Sequence, residues 1–100
     1  MRPVKFDDYI FETLMPDIIG HDRKPSAFIV YLHLWFVSRG EPGTPIVQSL
    51  QSITEAVGIS KSSVQAAIRV LKRRQLIRHQ QSYPTASPVY FVLAPWRRHT

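Results

Sequence analysis

The chain has 100 residues, 44% hydrophobic and 20% charged, which is enough for one small folded domain and too apolar for a disordered one. It contains no cysteine, so disulfides, thiolate catalysis and cysteine-ligated zinc are excluded. The net charge of +6 is divided unevenly: residues 1–48 hold five cations and six acids, whereas residues 49–100 hold eight cations against Glu55 alone. That places −1 on the first half and +7 on the second, the electrostatic footprint of a polyanion binder.

Phe6, Tyr9, Ile10, Thr13 and Leu14 recur at helical spacing and predict an amphipathic N-terminal helix, with Asp7, Asp8 and Glu12 on its solvated face. Pro16 ends that helix or starts a second turn through Asp17 to Gly20. Asp7 and Asp8 also interrupt the apolar core that a secretory signal needs, and the longest apolar run, Ala27 to Val37, is too short to span a bilayer. A soluble, cytoplasmic protein with no membrane partner is expected.

Pro25 opens the next helix, SAFIVYLHLWFVS, which is apolar nearly all round and must be covered on more than one side. It is expected to be the central core helix, with His33 hydrogen-bonded inside it. The alternative is that Phe28, Tyr31, Trp35 or a neighbour also reaches a second subunit; a homodimer is expected, with this helix and the N-terminal one as the candidate contacts. After the loop 39–43, Thr44 to Gln48 supplies a short strand. Ser49 caps a helix from Leu50 to Val57, Gly58 ends it, and Ser60 caps another running to about Arg74. Leu76 to Gln81 and Val89 to Leu93 read as strands joined by SYPTASP.

The helix that follows Gly58 has two unlike faces. At about 100° per residue, Val64, Ala67, Ile68 and Leu71 fall on one side, in line with Ile53, Val57 and Ile59 as an apolar seam. Ser62, Gln65, Ala66, Arg69 and Arg73 fall on the other, with no acid and no bulky aliphatic among them. Arginine can pair with guanine, glutamine with adenine, and alanine can lie against a thymine methyl. Ser60, Lys61, Ser62 and Ser63 surround the helix N-terminus, where backbone N–H groups and hydroxyls can hold a phosphate. Lys72 and Arg74 flank the stripe, placed for the DNA backbone and not for bases.

The run SLQSITEAVGISKSSVQAAIRVLKRRQLI resembles the winged helix-turn-helix DNA-binding domains of bacterial transcription regulators, in the GntR-like and MarR-like pattern. Ser60, Lys61, Val64, Ala67, Ile68, Arg69, Leu71, Leu76 and Ile77 match that pattern by residue type, and the resemblance covers about residues 49–93. Gln65 and Ala66 replace the usual Arg–Glu pair, Gln75 stands at a glycine position, and neither the glycine-containing wing nor an effector-binding domain is seen. The resemblance implies a mainly α fold with a small β-hairpin: residues 25–93 form the winged-helix core, 1–24 a helical extension and 94–100 a basic tail. It also implies sequence-specific binding of double-stranded DNA through the helix that Ser60 opens.

The loop at residues 82–87 is the expected wing, with Tyr83, Arg78, His79, Gln80 and Gln81 placed to touch a minor groove or phosphates. In the tail, Trp96 is expected to pack and the arginines after it to be loose. The four histidines are scattered without metal-ligand spacing and no phosphate-binding glycine loop occurs, so no enzyme activity, cofactor or small-molecule effector is expected. A small repressor acting by operator occupancy is the leading expectation. A winged-helix protein-interaction module, or a domain of a replication or partition initiator, is the alternative.

Overall fold

A computed structural model describes residues 2–97. Two π-helical segments, Ile10–Leu14 and Pro16–His21, precede helix α1 (Pro25–Val37). Strand β1 (Ile46–Val47), helices α2 (Leu50–Val57) and α3 (Lys61–Arg73), and strands β2 (Ile77–Gln80) and β3 (Val89–Val92) follow. The fold is mainly helical with a small antiparallel sheet of order β1-β3-β2. No helix among the described residues is long and apolar enough to cross a membrane.

The N-terminal segment winds differently from the expected α-helix. The Asp22 N–H donates to Asp17 O at 2.9 Å, a five-residue bond of the π type. Such turns take up more residues, so positions four apart return to the same face. The buried stripe is therefore Ile10, Leu14 and Ile18, and Tyr9 and Thr13 lie exposed. Pro16 does not end the segment: it opens the second stretch, at a position where its missing N–H goes unused.

α1 is buried through Ala27, Phe28, Val30, Tyr31, Leu34 and Trp35. The π-helical segment covers it on one side and α3 on another, and the end of β3 receives the Tyr31 hydroxyl, which donates to Leu93 O at 2.8 Å. Burial pushes the Tyr31 ionisation well above its usual range, so the phenol remains a donor. Phe28, Tyr31 and Trp35 are buried within the chain, as a central core helix requires. Of the same helix, Ile29, Phe36 and Val37 are exposed.

The two ends of the chain lock over α1. Trp35 Nε1 donates to Lys5 O at 2.8 Å, and Trp96 stacks between Trp35 and Tyr9, with ring centroids 5.9 Å and 4.8 Å away. Trp96 Nε1 donates to Asp7 Oδ2 at 2.7 Å, and Arg97 grips both oxygens of the same carboxylate at 2.7 Å each. Trp96 is packed, as expected. Arg97 is not loose, because a bidentate pair and the face of Trp35 hold it. Arg98 lies outside the described residues.

Three helix ends close with a left-handed residue that is not glycine: Arg23 (φ 56°), Arg39 (φ 60°) and Gln75 (φ 58°). At Gln75 the Leu76 N–H reaches back to Leu71 O at 2.9 Å, the six-to-one bond of a Schellman close. Glycine is required at position 40, where φ is 74° and an added Cβ would meet Lys5 O at 2.9 Å.

Two stability changes of opposite sign are expected in chemical denaturation. Gly40→Ala should cost about 2–3 kcal/mol, combining left-handed strain with the push against the N-terminal backbone. Gln75→Gly should stabilise by about 0.5–1 kcal/mol, because it removes strain at a position whose side chain is exposed.

Candidate nucleic-acid interface

The candidate surface is built from α2, a glycine turn, α3 and the β2–β3 hairpin. Both helices start on a serine cap: Ser49 Oγ accepts from Ser52 N at 3.0 Å, and Ser60 Oγ accepts from Ser63 N at 3.1 Å. Between them Gly58 adopts φ 77°, and its N–H closes α2 onto Thr54 O at 2.9 Å. Gln48 anchors the start of α2, donating to Ser52 Oγ and meeting His33 Nε2, each at 3.1 Å. His33 is thus hydrogen-bonded and half-buried, so α1 fixes the height of α2 as well as that of α3.

α3 buries Val64, Ala67, Ile68, Val70 and Leu71. Val70 is also buried, which widens the buried arc beyond the expected seam. The opposite face carries Lys61, Ser62, Gln65, Arg69, Lys72 and Arg73, all exposed, with Ala66 and Ser63 half-buried at its margins. The Ser60 hydroxyl donates to Ser63 Oγ at 2.9 Å and lies 3.2 Å from Ser62 Oγ, so the expected serine cluster is assembled at the helix N-terminus. Lys61, Arg69, Lys72, Arg73 and Arg78 form no ion pair among the described residues.

Arg74 is placed differently from its neighbours. Its guanidinium turns to the N-terminal segment, donating to Asp22 Oδ2 at 2.5 Å, Asp22 Oδ1 at 3.1 Å and Asp17 Oδ2 at 3.1 Å. Arg74 and His21 together hold the Asp22 carboxyl down to about 2, and Asp22 in turn raises the Arg74 pKa further. The acidic first half therefore binds the last turn of α3 and leaves its outer face alone.

In the hairpin, Ile77 pairs with Val92 and His79 with Tyr90. Ile77, Tyr90 and Val92 are buried, which places half-buried His79 on the same inward face, while Arg78 and Gln80 are exposed on the other. The Arg78 guanidinium lies over Phe91, 4.6 Å from its centroid. Gln81 organises the loop that follows, donating to Pro84 O at 3.1 Å and Ala86 O at 2.6 Å. Tyr83, at the tip, is 62% exposed. The Gln81 amide thus braces the loop across its two sides.

Between the hairpin and α3 lies an open cleft of about 330 Å³, walled by Gln65 and Arg69 on one side and by His79 and Gln81 on the other. Sequence reasoning had placed these residues near DNA without bringing them to one cleft. The alternation of β2, counted from buried Ile77, was the available signal for His79. Among the described residues no three His, Asp or Glu side chains gather as metal ligands.

The chain matches no family model, no curated protein and no solved structure.

The Arg74 cluster makes a pH-dependent contribution to stability. A carboxyl depressed on folding stabilises the fold fully above its unfolded value, near 3.8 for Asp22, and loses that contribution as pH falls toward about 2. Asp22→Asn should lower the thermal midpoint at neutral pH and flatten the acid limb of a stability–pH profile between about pH 4 and 2.

Proposed function

We propose that this chain is a winged helix-turn-helix domain that binds double-stranded DNA with sequence preference, works as a homodimer, and serves as a small transcriptional regulator by occupying its operator. The observation that carries this reading is the outer face of α3. Among the described residues nothing covers its exposed Ser62, Gln65, Arg69 and Arg73, it bears half-buried Ala66 and no acid, and it begins at an exposed, capped N-terminus. Gln65 and Arg69 offer the flat amide and guanidinium edges that pair with adenine and guanine in a major groove.

Ser60, Lys61, Ser62 and Ser63 would hold a backbone phosphate at the start of α3, where the helix dipole is positive. Lys72, Arg78, Gln80 and Tyr83 would follow the backbone on the hairpin side, with the loop at residues 82–87 as the wing. Arg74 is left out of this contact set, since Asp17 and Asp22 already satisfy it. Support for the homodimer comes from apolar side chains left in solvent: Phe11, Met15 and Ile19, spaced by four on the π-helical segment, and Ile29 and Phe36 on α1.

The test is fluorescence anisotropy of a labelled duplex of about three helical turns, titrated at several salt concentrations. With about 4–6 phosphate contacts per protomer, the log–log slope should lie at roughly −4 to −10. Arg69→Ala combined with Arg73→Ala should weaken binding by at least about tenfold and make the slope shallower by about one to two units per protomer. A wild-type protein that ignores duplex DNA at low salt would falsify the reading, and an acidic protein partner would then be the target of the search.

A further inference from the structure

The cleft between the hairpin and α3 borders the apolar core. Its floor is Ile68 and Tyr90. His79 faces inward two residues beyond Ile77, and its ring rests against Tyr90, with centroids 5.4 Å apart. The contact fixes the imidazole on the hairpin wall, across from Gln65 and Arg69 of α3.

The charge census of the cleft is short. Among the described residues, Arg69 is the one charged side chain lining it, and Tyr90 the one group besides Arg69 and His79 that can titrate. Burial raises the Tyr90 ionisation, so this phenol stays neutral at ordinary pH. α2 contributes only Leu50, and Arg78 lies on the other face of the sheet. No carboxylate faces His79 from α2, α3 or β3. The cleft therefore offers one fixed cation, one side chain of the type that changes charge between pH 5 and 8, and the amide groups of Gln65 and Gln81. It is also open along one side, which suits a strand passing through better than an enclosed small molecule.

Building on the DNA-binding reading, we propose that this cleft seats one phosphodiester of a bound DNA strand on His79, beside the Arg69 that faces the groove, and that binding takes up a proton on His79. The arriving phosphate supplies the negative charge that the cleft lacks, and a protonated imidazole then donates to a phosphate oxygen in a charge-assisted hydrogen bond. The strand enters the cleft where it leaves the groove read by α3, so the hairpin and the helix grip the same backbone.

The experiment is the duplex titration at constant salt, at about pH 6 and about pH 8, with wild type, His79→Gln and His79→Lys. Wild-type affinity should fall about five- to tenfold from the lower to the higher pH. His79→Gln keeps a hydrogen-bonding group but cannot become cationic, so its affinity should be low and nearly the same at both pH values. His79→Lys carries a fixed charge, so it should bind at the higher pH about as tightly as wild type does at the lower, which a merely structural role for His79 does not produce. Duplex binding with the same pH dependence in all three proteins overturns the cleft assignment and leaves the α3 reading standing. Absence of wild-type duplex binding at both pH values overturns both. Thermal unfolding verifies that each variant is folded, and should the Gln variant be unstable, the Lys variant decides.

Discussion

A helix that is apolar nearly all round, in a chain of 100 residues, sets the terms for everything else in this protein. α1 cannot be left facing water on any large arc, because burying each of its large side chains is worth about 1.5–3 kcal/mol. The chain has little material with which to cover it. The π-helical segment, α3 and the end of β3 are all used, and the two chain ends are drawn in by Trp35 and Trp96. Asp7 makes that closure specific: one carboxylate accepts from Trp96 and Arg97, and the Arg97 guanidinium holds it below the usual carboxylate range.

The packing decides which charges are consumed and which remain. The acids of the first half meet two arginines of the second, Asp7 with Arg97 and Asp17 and Asp22 with Arg74. Both pairs lie toward the N-terminal layer. On the outer face of α3 and on the hairpin, Lys61, Arg69, Lys72, Arg73 and Arg78 are exposed and form no ion pair among the described residues. Ion pairs of this partly exposed kind add modest stability. Their larger effect is to fix the last turn of α3 against the N-terminal segment, and so to set the angle at which its outer face is presented.

Much of the scaffold was legible in the residues. Pro25, Ser49, Gly58 and Ser60 mark helix boundaries through local backbone chemistry, and α1, α2, α3 and the three strands lie within a residue or two of the expected spans. Gln75 stands where the resembled pattern has glycine, and its φ of 58° is left-handed. The outer stripe of α3 could be read from 3.6-residue periodicity alone, because capping, turn and periodicity all act over a few residues. The π winding of residues 10–21 was not readable, since an α-helix explains the same apolar spacing almost as well.

The chain by itself determined where helices start and stop, which face of α3 is apolar, and that positive charge gathers in the second half. Tertiary structure alone decided that Arg74 and Arg97 are paired while Arg69 and Arg73 form no ion pair among the described residues, because the acids concerned lie 52, 57 and 90 residues away. It also decided that Phe28, Tyr31 and Trp35 are covered from within, and that Gln65, Arg69, His79 and Gln81 share one cleft. Periodicity fixes the direction of a side chain from its own helix or strand. What it meets there depends on how distant elements close over α1, and no local pattern encodes that.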